Sequence, residues 1–128
     1  MNCLEDRPFA RSFGTQLVEA GTELVCVTQW RDSFTGNPLL QAWHGGIVSG
    51  VMELTGLLAA QHARDYSSCD LLSINVSYLK PTRGETELFS RAKVIRSGKQ
   101  IMTIETQSWQ GLRDNVTACA MLTYAVRT

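Results

Sequence analysis

Between Asp32 and Arg64 the chain carries a single charged side chain, Glu53. It stands in the run Trp43-His44-Gly45-Gly46-Ile47-Val48-Ser49-Gly50-Val51-Met52-Glu53-Leu54-Thr55-Gly56-Leu57-Leu58-Ala59-Ala60. A run this apolar reads as a buried helix. An ionised carboxylate buried there without partners costs on the order of several kcal/mol. Such a group shifts its pKa, finds a partner, or does chemistry as a base or nucleophile. A plainer reading pairs Glu53 with an arginine brought from elsewhere. Likewise, Gly45 and Gly46 can be simple turn glycines, and His44 a residue that braces the loop ahead of the helix.

Other reactive side chains form no comparable cluster. Cys3, Cys26, Cys69 and Cys119 are not spaced as metal ligands, and His44 and His62 are the only histidines. All four cysteines are expected to be free thiols, as is usual in a reducing compartment. Cys69 has no histidine placed beside it in a nucleophile motif. No metal and no separate cofactor is expected.

The elements that must position Glu53 follow from pattern. The chain has 128 residues, enough for one domain over 1–128 with a real core. Twelve basic residues balance twelve acidic ones, which argues against a nucleic-acid partner. The apolar run is too short and glycine-rich to span a membrane, and the N-terminus lacks a signal-peptide pattern, so a cytoplasmic location is expected. Residues 4–13 suggest an arm or short helix. Thr15 to Trp30 reads as extended, with a turn near Ala20-Gly21. A loop at 33–43 leads to a helix from about Gly45 to about His62, with a buried stripe of Ile47, Val51, Leu54 and Leu58. Glu53 lies about 120° from that stripe, flanked by Gly46, Ser49, Gly50 and Leu57. Gly50 and Gly56 are costly in a helix, and their use is to let it lie close to a neighbour. Asp70–Lys80, Thr86–Ile95, Gln100–Trp109 and Val116–Val126 read as strands, with Leu72, Ile74, Val76 and Tyr78 on one face of the first. The pattern predicts an α+β fold, a helix followed by four strands in an antiparallel meander.

Three motifs in this order resemble the hotdog-fold acyl-CoA thioesterases of the phenylacetate-degradation type. They are His44-Gly45-Gly46 with an acid nine residues after the histidine, Asn75-Val76-Ser77-Tyr78-Leu79-Lys80-Pro81, and Val94-Ile95-Arg96-Ser97-Gly98-Lys99. The likeness spans about Phe13 to Tyr124. It implies five or six antiparallel strands wrapped around one long helix, a homodimer or dimer of dimers, and an acyl-CoA substrate whose coenzyme A is part of the substrate. It also implies that the Gly45 N–H stabilises the thioester oxyanion while Glu53 activates water or attacks the carbonyl. Gly46 and Trp43 would adjoin the substrate, with His44 beside them. Arg96, Ser97, Gly98 and Lys99 would meet the coenzyme A phosphates, unless the two charges simply solvate a hairpin.

Gly45 and Glu53 are eight residues apart, about 12 Å along a helix. If both act on one thioester, two chains must supply them. This agrees with the family's antiparallel pairing of helices across a dimer. The chain departs from the family at two positions. Where relatives place Asn or Gln six residues before the histidine, it has Pro38, so Asn37 or Gln41 is the candidate replacement. Where some relatives hold water with Ser or Thr after the helix, it has Leu71, with Ser67, Ser68 and Ser73 nearby. These departures keep a non-catalytic acyl-CoA-binding hotdog protein as the alternative function. A dehydratase would need a histidine motif that is absent.

Overall fold

The computed structural model describes residues 13–37, 39, 41–64 and 68–127. The arm expected over 4–13 lies outside them, apart from Phe13. Strands β1 (Gln16–Ala20) and β2 (Leu24–Thr28) lead into a 3-10 turn, Asp32–Phe34. The 33–43 segment, expected as a loop, contains a small ribbon of β3 (Thr35–Asn37) and β4 (Ala42–Trp43). Helix α1 runs unbroken from Gly45 to Ala63, through both Gly50 and Gly56. Then follow β5 (Ser68–Tyr78), β6 (Leu88–Ser97), β7 (Ile101–Trp109) and β8 (Val116–Arg127).

The six long strands form one antiparallel sheet in the order β1-β2-β6-β7-β8-β5. The expected four-strand meander is therefore corrected. Only β6, β7 and β8 meander, while β5 crosses to the far edge and pairs with β8. The cause is the connection between β5 and β6. Pro81 has no N–H to extend a ladder, and no tight turn follows β5. Instead the segment is tied to the ribbon ahead of α1. Trp43 N–H donates to Thr82 O, and Gly84 N–H donates to Gln41 O at 2.5 Å. A Cβ on Gly84 would lie 2.1 Å from that oxygen, so only glycine fits the crossing.

The sheet curls around α1. Val48, Val51, Met52, Leu54, Thr55, Leu58, Ala59 and Ala60 are all buried, a wider face than the predicted stripe, and Ile47 is only partly covered. The opposing sheet face is the period-two set Ala118, Ala120, Leu122, Tyr124 and Val126 of β8, with Met102 and Ile104 of β7. A bulge between Leu71 and Ser73 changes the phase of β5. Leu71 consequently packs on the core and Leu72 faces outward, which corrects the strand alternation expected at Leu72.

Three side-chain hydrogen bonds fix α1 on the sheet. Tyr78 of β5 donates to Gly45 O at 2.8 Å, and Tyr124 of β8 donates to Glu53 O at 2.7 Å. Thr55 Oγ1 donates to Val51 O and lies 2.8 Å from Ser90 Oγ of β6. These ties sit at the two turns that carry Gly45 and Glu53. Cys26, Cys69 and Cys119 form no disulfide, and burial pushes the Cys26 thiol up to about 12. Cys3 lies outside the described residues.

Candidate active site

His44 caps α1. Its own N–H donates to Phe34 O at 2.7 Å, which seats the helix start against the 3-10 turn. An α-helix leaves its first N–H groups without intrahelical partners. Here Gly46 N–H donates to His44 Nδ1 at 2.9 Å, and Ile47 and Val48 N–H donate to His44 O at 2.9 and 3.1 Å. The first donor, Gly45 N–H, has no partner among the described residues. Accepting at Nδ1 places the neutral ring's hydrogen on Nε2, so His44 serves the helix end as an acceptor. The ring of half-exposed Tyr78 lies beside Gly45, 3.4 Å from where a Cβ would stand.

Glu53 lies two turns on, along the side of α1 that the sheet leaves open. Gly46 and His44 are exposed, and Ile47, Ser49, Glu53 and Leu57 are partly covered. No cation among the described residues pairs with the Glu53 carboxylate. Its pKa is raised above the ordinary range because burial penalises the charged form. Tyr124 feels that charge: burial first, and then Glu53, push its phenol upward. A neutral tyrosine therefore stands behind the turn that carries the acid. A Cβ on Gly56 would lie 2.8 Å from Tyr124 Oη, so this glycine allows the helix its close approach to β8.

The other candidate residues fall in separate places. Trp43, expected beside the substrate, is only 4% exposed. It packs on Phe34 and Trp30 with centroids at 5.2 and 5.6 Å, and its indole N–H donates to Thr86 O. In this chain it is a core residue that braces the ribbon. Asn37 pairs through its backbone with Ala42, but its side chain lies outside the described atoms, as do Pro38 and Ser67. Gln41 is exposed and holds a left-handed backbone, φ 45°.

Arg96, Ser97 and Lys99 are exposed at the β6–β7 hairpin, with Gly98 partly covered. Arg64 ties this hairpin to the C-terminal end of α1 by donating to Gly98 O and to Lys99 O. One groove of about 730 Å³ is lined by Arg64, Lys99, Ile101 and Arg127 among others, and Arg127 is paired with Asp70 at 3.0 Å. A second of about 620 Å³ is lined by Arg96, Lys99, Gln100 and Thr103. The basic hairpin thus lies at the helix end opposite Gly45, about 27 Å away along nineteen residues.

Sequence reasoning missed Tyr78 and Tyr124 as site neighbours. Tyr124 is buried on the inward face of β8, whereas Tyr78 continues the Ile74 and Val76 face to the end of β5, where it is exposed. That their hydroxyls reach helix carbonyls depends on the sheet order, which the pattern of residues does not carry.

An antiparallel sheet of this order wrapped on one long helix is the hotdog fold. Residues 37–127 match the family described as the acyl-CoA thioesterase N-terminal domain, and the chain belongs to that family. Among solved structures it is similar to a phenylacetic acid degradation-related putative thioesterase from Ralstonia eutropha. That pair shares 21% identity and a TM-score of 0.80, over 91% of this chain and 88% of that one. It is also similar to the Escherichia coli PaaI protein from the phenylacetic acid degradation operon, with 15% identity and a TM-score of 0.83, over 97% and 87% of the two chains. Zebrafish thioesterase superfamily member 2 gives 16% and 0.83, over 97% and 91%. No curated protein matches the chain. Its class is therefore that of a thioester hydrolase with the hotdog fold. Among the described residues, no helix is long and apolar enough to cross a membrane, and no cluster of His, Cys, Asp or Glu could hold a metal ion.

Proposed function

We propose that the chain hydrolyses an acyl-CoA thioester at a site shared by two protomers. The Gly45 N–H of one protomer binds the carbonyl oxygen, and Glu53 of the other acts on the carbonyl carbon. As general base, Glu53 takes a proton from water while the water oxygen attacks that carbon; as nucleophile, it attacks directly and water then hydrolyses the acyl-glutamyl anhydride. In both routes the C–S bond breaks and coenzyme A leaves as a thiol once protonated. Charge that builds on the oxygen is met by a donor at the positive end of a helix. The raised pKa of Glu53 makes its carboxylate a stronger base near neutral pH.

The observation that carries this reading is a Gly45 N–H without a partner among the described residues, at the start of the helix whose open side carries Glu53, itself with no described cation beside it. On a single helix they are about 12 Å apart, too far for one thioester group. Two helices set antiparallel bring each donor opposite the other's acid. The edge strand β5 supports that pairing. It is eleven residues long, and its outer row of backbone groups has no strand partner among the described residues. Docking of β5 on β5 joins two sheets and lays the helices side by side. Arg96 and Lys99 then hold the phosphates of coenzyme A in the grooves of the hairpin, with Ser97 and Gly98 supplying the turn.

Release of free coenzyme A from a panel of acyl-CoAs, compared between the wild type and Glu53→Gln, tests the proposal. Turnover in the wild type and its loss in the variant are expected. Tight acyl-CoA binding with no turnover on any member of the panel would overturn the hydrolase in favour of a binding protein.

A further inference from the structure

A glycine that donates to an oxyanion carries an inherent weakness. It has the freest backbone of any residue, whereas the donor must be preorganised before charge develops. The peptide that joins Gly45 to Gly46 is held at both of its polar ends. Its carbonyl accepts from the Tyr78 hydroxyl at 2.8 Å, and its N–H donates to His44 Nδ1 at 2.9 Å. The Tyr78 ring also lies against the Gly45 α-carbon, in ordinary contact with the space a Cβ would fill. Rotation about the Gly45 backbone would break one of these contacts or the other. Tyr78 comes from the edge strand and is 55% exposed, so the core does not account for its hydroxyl's placement.

We infer that Tyr78 is a positioning residue for the reaction: it holds the Gly45–Gly46 peptide on one side of the Gly45 α-carbon, while the His44–Gly45 peptide that carries the Gly45 N–H is held on the other by His44 O accepting from Ile47 and Val48, so that the Gly45 backbone is fixed between them and its N–H keeps its aim at the thioester oxygen. The inference rests on the function proposed above and adds a residue to it. The lock acts through geometry alone, with no proton exchanged. Because the oxyanion forms only as the carbonyl is attacked, the benefit falls on kcat and leaves ground-state binding largely unchanged.

Tyr78→Phe keeps the ring and removes the hydroxyl. In the variant kcat should fall about tenfold with KM within about twofold, the split expected for an interaction realised in the transition state. In a Gly45→Pro background, which has no N–H at that position, Tyr78→Phe should cost nothing further, because the lock then has no donor to aim. A full additional tenfold loss in that background would overturn the inference and leave only a structural role. Nitrogen-15 relaxation supplies a readout that does not need turnover. The Gly45 order parameter should drop from about 0.85 in the wild type to below about 0.6 in Tyr78→Phe. An unchanged value overturns the lock whether or not acyl-CoA is a substrate. Absence of turnover in the wild type with a loosened Gly45 would instead remove the proposed function and keep the lock.

Discussion

Glu53 sits half-buried with no described cation beside it, and that fixes the sign of its titration. Its folded pKa lies above the ordinary glutamate value of about 4.3, so the ionised form weakens the fold at neutral pH. Glu53→Gln should therefore raise Tm at pH 7. The gain should shrink as pH falls through the raised value towards the ordinary one, as scanning calorimetry across pH would show. Activity should respond in the opposite sense. The carboxylate must be deprotonated to act, so kcat should fall on the acid side, with an apparent pKa above 4.3 by direction of the burial effect. At neutral pH the Gln variant should lose about 10²-fold or more in kcat. Full hydrolysis by it would remove Glu53 from the chemistry. Gly45 offers a cleaner deletion. It is the first helical residue, where proline is well tolerated, and His44 at φ −60°, ψ 132° already has the backbone that precedes proline. Gly45→Pro should keep the helix by circular dichroism and lose about 10²- to 10³-fold in kcat, the cost of one oxyanion donor.

At the scale of the elements, α1 and the β6–β7 hairpin carry separate tests. Alanine is normally a better helix former than glycine by about 1 kcal/mol. At Gly56 the balance reverses, since the added carbon would meet Tyr124 Oη at 2.8 Å and Leu122 Cδ2 at 3.5 Å. Gly56→Ala should lower stability by about 1–3 kcal/mol in denaturant titration, the range for overpacking. Adding Tyr124→Phe removes the contacting oxygen and should recover part of that loss. On the hairpin, Arg96→Ala with Lys99→Ala should raise KM with little change in kcat, because phosphate contacts are similar in ground and transition states. The increase should diminish in high salt; a KM indifferent to both changes would leave these residues to the turn. The elements themselves were largely legible in the sequence. The lone acid in an apolar run marked α1, and period-two alternation marked β5 to β8 within a few residues. The strand order was not legible, because neighbours in a sheet are chosen by the connection through Pro81 and Gly84 and by its ties to Trp43 and Gln41. The bulge at Leu72 likewise leaves no trace in a pattern of apolar and polar residues. Of the candidate site, Glu53 stood out by the cost of burying its charge, while Gly45 entered through the resemblance carried by His44-Gly45-Gly46. The hydroxyls of Tyr78 and Tyr124 were not readable, since each reaches a helix carbonyl from a strand distant in the chain.

For the whole molecule, the proposed sharing of one site by two protomers would make activity a property of the pair. Glu53→Gln and Gly45→Pro homodimers should each be nearly inactive. When subunits of the two variants are mixed and exchanged, half the dimers are hybrids, and in each hybrid one site carries both defects and the other neither. Activity should return to about one quarter of the wild type. No recovery, in a mixture shown by mass spectrometry to contain hybrids, would place both groups in one chain's own site. The sheet order has a further consequence, in time. β8 follows all the other strands in the chain, yet it lies inside the sheet, between β7 and β5. As the chain grows from the ribosome, β5 emerges more than forty residues before its ladder partner, as the separation of Ser77 from Cys119 shows. Until β8 arrives, β5 has no neighbour in the sheet, and Tyr124 is not there to hold the carbonyl of Glu53. Such late closure of distant contacts slows folding and leaves an unpaired strand open to wrong partners. Pausing translation ahead of β8 should therefore leave nascent chains bound to chaperones and open to protease, and release of the last strand should close the sheet.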